Sequence, residues 1–102
     1  MAHWVRVAST EQLREGQPLL VTVDGEDLAL FRVGNEVFAL DDLCSHAEAS
    51  LSEGEQRGYC IACPQHGGQF DIRTGKATHF PAVSPVRTYT VRIDGDSVLI
   101  ER

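Results

Sequence analysis

The chain reads as an all-β domain, an antiparallel β-sandwich or small barrel. Short runs of β-branched and aromatic residues recur along it, turn signals rich in Gly, Asp and Asn separate them, and only one brief segment favours a helix. Trp4 to Val7 opens the first strand. Pro18 to Val23 is the second and ends at Asp24-Gly25, a hairpin signal, because both residues tolerate the positive φ that such a turn requires. Leu28 to Val33 is the third, closed by Gly34-Asn35, and Val37 to Leu40 the fourth. Tyr59 to Cys63 follows, then Gln69 to Ile72 with Arg73-Thr74-Gly75-Lys76 as its turn. Val86 to Ile93 reads as one long strand, and Asp94-Gly95-Asp96 turns it into a last strand from Ser97 to Glu101. The helical exception is Ser9 to Glu15, where Ser9 and Gln12 form a capping box and Gly16 stops the turn.

The 102 residues make up one domain, with no repeat, linker or low-complexity segment. Residues 41–81 differ from their flanks, with fewer strand formers, more glycine and the candidate ligands, and read as a subdomain inserted between scaffold strands from both chain ends. Nine Lys and Arg against fifteen Asp and Glu give a net charge of −6, which argues against nucleic-acid binding. No apolar run approaches the roughly 20 residues that span a bilayer, and the first residues lack the order of a secretory signal, so no membrane association is expected and the cytoplasm is the expected compartment. Three cysteines make a poor disulfide framework, and a reducing compartment leaves thiols available as ligands. Nothing demands more than a monomer. Trp4 is expected in the core, and Cys60, between Tyr59 and Ile61, as a buried structural thiol. His3 and His79 have no partner at ligand spacing and read as surface or strand residues.

The chemistry is concentrated in two boxes. Cys44-Ser45-His46 is followed, after sixteen intervening residues, by Cys63-Pro64-Gln65-His66-Gly67. Each supplies one thiolate and one imidazole. Two thiolates and two neutral imidazoles are the donor set of a Rieske-type [2Fe–2S] cluster, with soft sulfur on one iron and nitrogen on the other. An oxidised [2Fe–2S] core is formally 2+, so two thiolates bring it to neutrality, whereas four would leave it doubly negative before any electron arrived. Mixed ligation therefore eases reduction, with potentials of roughly −150 to +300 mV against about −400 mV for plant-type ferredoxins.

The pattern around the boxes resembles the Rieske family. Leu51 and Gly54 follow the first box in phase, and Phe70-Asp71 and Thr74-Gly75 follow the second. The resemblance implies that Cys44, His46, Cys63 and His66 hold one [2Fe–2S] cluster, with the cysteines on the inner iron and the histidines on the outer one. It also implies that Phe80-Pro81 shields the cluster from water. High-potential members carry an extra Cys in each box, plus a Ser and a Tyr whose hydroxyls bond cluster and ligand sulfurs. Here Ala49, Gln65, Gly68 and Phe70 occupy those positions, which implies a potential near the low end of the class. Gly67 and Gly68 are expected to bring backbone N–H groups close to the bridging sulfides.

The chain is most similar in pattern to the ferredoxin components of bacterial aromatic-ring dioxygenase systems. That resemblance implies a one-electron carrier, not an enzyme, between an NAD(P)H-dependent flavoprotein ferredoxin reductase and a terminal Rieske non-haem iron oxygenase. A small subunit of an assimilatory nitrite reductase is the alternative. A zinc-held interaction module is a third reading, disfavoured because zinc sites usually pair Cys with Cys and His with His. Asp41, Asp42, Glu48, Glu53 and Glu55 ring the first box, either as a solvated loop or as a docking rim for a basic partner.

Overall fold

The computed structural model describes residues 3–44, 49–65, 67–80 and 84–101. Along the chain run β1 (Trp4–Ser9), β2 (Leu19–Val23), β3 (Glu26–Val33), β4 (Glu36–Asp41), β5 (Glu55–Arg57), β6 (Cys60–Ala62), β7 (Gln69–Asp71), β8 (Ala77–His79), β9 (Thr88–Tyr89), β10 (Val91–Asp94) and β11 (Ser97–Glu101). They form three antiparallel sheets, ordered β1-β11-β10, β2-β3-β4-β9 and β5-β6-β7-β8. Single 3₁₀ turns cover Thr10–Gln12 and Leu51–Glu53. No helix among the described residues is long and apolar enough to cross a membrane.

The middle sheet organises the rest because β3 is buried on both faces. Successive side chains of a strand point to opposite sides. Leu28 and Leu30 therefore join one core with Ala8, Val23, Tyr89, Val98 and Ile100, contributed by β1, β2, β9 and β11. Ala29 and Phe31 join the other, with Leu51, Ile61, Phe70, Ile72, Cys44 and Cys63. This explains the unbroken apolar run Leu28-Ala29-Leu30-Phe31 in a strand that, with one wet face, would alternate. The two cores make the fold a scaffold with a second layer laid against it.

The second layer is fastened by polar groups as well as packing. Gln56 of β5 is buried and donates its Nε2 to Arg32 O of β3 at 3.0 Å and to Gly58 O at 3.2 Å. Gly75 marks the other seam. It donates to Asp71 O (2.7 Å) and accepts from Val86 N (2.9 Å), and a Cβ there would lie 2.2 Å from Val86 O, so only glycine permits the approach.

Several expectations need correction. The long strand from Val86 to Ile93 is divided, because Thr88–Tyr89 pairs with β4 whereas Val91–Asp94 pairs with β11. A chain that changes sheets must break its ladder, and residue-level propensity carries no sign of this. Strands β5 and β8 were not anticipated, since Glu55-Gln56-Arg57 and Ala77-Thr78-His79 have little strand propensity and owe their conformation to their neighbours. The capping box forms in part, with Gln12 Oε1 accepting from Ser9 N at 2.8 Å, but the helix is a single 3₁₀ turn that ends before Gly16. Trp4 is only half-buried, beneath the Arg92 guanidinium at 5.8 Å.

Tyr89 ties β9 to the end of β4. Its hydroxyl donates to Asp41 Oδ1 at 2.6 Å, Asp41 N donates to Arg87 O at 2.9 Å, and the Arg87 guanidinium lies 4.8 Å from the ring centroid. Burial, followed by the bond to Asp41 and that group's charge, pushes the phenol up to about 12. An unfolded tyrosine ionises near 10, so the folded state retains a proton that the unfolded chain releases. The stabilisation is present in full below pH ~10 and is lost as pH rises from there through the folded value. Tyr89→Phe should therefore flatten the alkaline fall in stability across that window, as measured by denaturant unfolding at stepped pH; an unaltered slope would refute the assignment.

Candidate metal centre

Two loops meet where the second layer faces the scaffold, and they are built alike. In the first, Leu43 pairs with Ser50, and Cys44 N donates to Ala49 O at 2.9 Å. In the second, Ala62 pairs with Gln69, and Cys63 N donates to Gly68 O at 2.7 Å. Each loop thus begins at a cysteine whose N–H is bonded to the carbonyl of the fifth residue beyond it. Both thiols are buried, Cys44 at 3% exposure and Cys63 at 2%, within one apolar core. None of the three cysteines is in a disulfide.

The structure therefore places Cys44 and Cys63 at the inner ends of matched loops. His46 and His66 lie outside the described residues. Two buried thiols at equivalent loop positions, each followed in sequence by a histidine, are a donor set that fits a mixed-ligand [2Fe–2S] centre. Zinc fits less well, because its usual pairing puts two cysteines in one box and two histidines in the other, whereas each box here carries one of each.

The loops differ in their support. The second closes a regular hairpin of three pairs: Cys60 with Asp71, Ile61 with Phe70 and Ala62 with Gln69. Gly67, at φ 77°, donates its N–H to Cys63 O at 3.1 Å. That amide is engaged within the loop, and the positive φ is the conformation that glycine permits there. The first loop rests on the isolated Leu43–Ser50 bridge, the Cys44 N to Ala49 O bond and a side chain, Asp42, whose importance the sequence did not signal. Asp42 is 5% exposed, and its carboxylate accepts from Ser50 Oγ and from Ser52 N, the latter at 2.8 Å.

The presumed acidic rim changes accordingly. Asp42 is turned inward, Asp41 is bonded to Tyr89, Glu55 pairs with Arg57 at 2.7 Å, and Glu48 lies outside the described residues. Glu53 is exposed. Apolar groups are also presented to solvent, with Leu43 62% exposed beside Cys44 and Phe80 86% exposed. Pro81, expected to shield the cluster, is outside the described residues.

Cys60 is separate from this arrangement. It is half-buried on β6, donates its thiol to Gln69 Oε1 at 2.7 Å, and burial pushes its pKa up. His3 and His79 are exposed, and His79 Nδ1 lies 3.1 Å from Thr78 Oγ1.

Comparison with known proteins agrees with this architecture. The Rieske [2Fe-2S] domain family matches residues 3–90, and the chain belongs to that family. It carries a Rieske-type [2Fe–2S] cluster and is a ferredoxin, an electron carrier and not itself a catalyst. The ferredoxin component of the naphthalene 1,2-dioxygenase system of Pseudomonas aeruginosa is 41% identical over 98 residues, covering 96% of this chain and 94% of that one. The ferredoxin of carbazole 1,9a-dioxygenase from Nocardioides aromaticivorans IC177 superposes with a TM-score of 0.92 at 45% identity, covering 95% of both chains. A chain from the complex of reduced oxygenase and oxidised ferredoxin in carbazole 1,9a-dioxygenase matches with a TM-score of 0.90 at 35% identity, over 95% of this chain and 91% of that one. A putative NADH-dependent nitrite reductase small subunit from Mycobacterium tuberculosis shares the fold alone, at 22% identity and a TM-score of 0.86 over all of this chain and 96% of that one.

Cys60→Ser should leave the iron content and the Rieske electron paramagnetic resonance spectrum unchanged, since the hydroxyl can donate to Gln69 in place of the thiol. Loss of the signal would place Cys60 among the ligands.

Proposed function

We propose that this ferredoxin shuttles single electrons from an NAD(P)H-dependent flavoprotein reductase to a terminal Rieske non-haem iron oxygenase that hydroxylates aromatic rings. Cys44, His46, Cys63 and His66 hold its cluster, within a single domain whose residues 41–81 form the cluster-binding part. The observation that carries the ligand reading is the pair of buried thiols opening two matched loops in one core. When bound, the cluster supplies reversible one-electron redox chemistry. The chain's own contribution is to keep its sulfur side dry: Phe31, Leu51, Ile61 and Phe70 are fully buried beside the two cysteines. On this reading His46 and His66 bind the iron from which an electron leaves.

The partner assignment draws on the relatives' dioxygenase systems and on an oxygenase–ferredoxin complex among the similar structures. An exposed Leu43 one residue from Cys44 suits transient docking beside the exit, and a net charge of −6 suits encounter with a basic surface. The carrier acts as a monomer in the cytoplasm, a compartment consistent with three cysteines outside any disulfide.

The decisive experiment is electron paramagnetic resonance of the dithionite-reduced protein. A low average g value is expected, and it should vanish in Cys44→Ser, Cys63→Ser, His46→Ala and His66→Ala. A persisting signal in any of these would remove that residue from the set. The cluster's tuning is tested separately. Phe70 shares the core of Cys44 and Cys63, and Gly68 O bonds Cys63 N, so hydroxyls introduced by Gly68→Ser and Phe70→Tyr together should raise the midpoint potential if they reach sulfur. An unchanged potential in a fully loaded double variant would reject hydrogen-bond supply as the cause of a low value.

A further inference from the structure

We infer that Asp42 is a positioning residue that clamps the foot of the first ligand loop and so sets the geometry of its cluster ligands. The argument begins with the unequal support of the two loops. The second stands on a three-pair backbone ladder, with Cys60 Sγ also donating across it to Gln69 Oε1. The first has one isolated bridge, and its return limb passes directly into a 3₁₀ turn at Leu51–Glu53. Beside that bridge the limbs are joined by backbone bonds from Cys44 N to Ala49 O (2.9 Å) and from Leu51 N to Asp42 O (2.7 Å), a less regular ladder than that of the second loop.

Asp42 supplies what is missing. Its backbone joins both sides, with N donating to Asp27 O of the scaffold at 3.1 Å and O accepting from Leu51 N of the returning limb at 2.7 Å. Its carboxylate reaches across to the returning limb, accepting from Ser50 Oγ and from Ser52 N (2.8 Å), while Ser50 Oγ and Ser52 Oγ lie 2.8 Å apart. The carboxylate of a residue 5% exposed is costly to bury, and these bonds to the returning limb offset that cost. The limb therefore cannot move away without stranding a buried acceptor. The clamp joins Asp42 to Ser50 and Ser52, on either side in sequence of the segment from Cys44 to Ala49, by bonds made within the first loop.

The inference rests on the reading of Cys44 and His46 as ligands, and its test separates the two. Hydrogen exchange read by mass spectrometry on the loaded full-length protein should accelerate by on the order of tenfold in residues 43–52 of Asp42→Ala, with residues 62–69 unchanged. The reduced spectrum should broaden as the ligand geometry becomes heterogeneous. Asp42→Asn should restore both, because its Oδ1 still accepts Ser52 N–H and its Nδ2 can donate to Ser50 Oγ, which then donates to Ser52 Oγ. If Asp42→Ala does not fold, Ser50→Ala removes one arm only and should give a smaller acceleration confined to residues 43–52. Equal acceleration in both loops, no acceleration in the first, or failure of Asp42→Asn to rescue would overturn the proposal. A Rieske signal surviving Cys44→Ser would instead sink the ligand reading beneath it.

Discussion

The bond from each loop cysteine's N–H to the carbonyl five residues on is the constraint around which the rest of the molecule is arranged. It closes both loops to the same size and turns both thiols away from water into one core. Backbone amides buried there must be paired, so the two closures also solve the hydrogen-bonding problem that an irregular segment near a core creates. A pair of thiols this deeply buried suits the sulfur donors of an iron–sulfur centre, which must be kept from water.

That arrangement requires a floor, and β3 provides it. Because Ala29 and Phe31 face the loops while Leu28 and Leu30 face the opposite core, one strand transmits the rigidity of the scaffold to the cluster-binding layer. The layer itself is made of strands of three residues each, too short to be stable alone. Gln56 and Gly75 stitch it down at two seams, one by a side-chain bond across the sheets and the other by backbone contact too close for any larger residue. In a 102-residue chain the work is divided: one core maintains the fold and the other encloses Cys44 and Cys63.

The acidic character of the first loop takes on a different meaning in three dimensions. Read along the chain, Asp41 and Asp42 are two more charges on an acidic surface. In the fold each has an inward task, Asp41 receiving the Tyr89 hydroxyl and Asp42 receiving Ser50 and Ser52. What remains outward beside Cys44 is the apolar Leu43. Encounter and contact are thus separable: net charge acts over distance, and a small exposed apolar group acts at close range.

The all-β class, the hairpin at Asp24-Gly25, most strand positions and the spacing of the two cysteine–histidine boxes were legible in the residues alone. These depend on local chemistry: turn residues that accept positive φ, side chains that suit a pleated surface, and donor atoms at recurrent intervals. Tertiary structure decided what depends on a distant partner. Thr88 to Asp94 divides between two sheets because β4 and β11 compete for it, and Glu55–Arg57 becomes a strand because β6 lies beside it. Asp42 becomes a buried clamp because the return of the loop brings Ser50 and Ser52 to it, a juxtaposition that no window of neighbouring residues encodes.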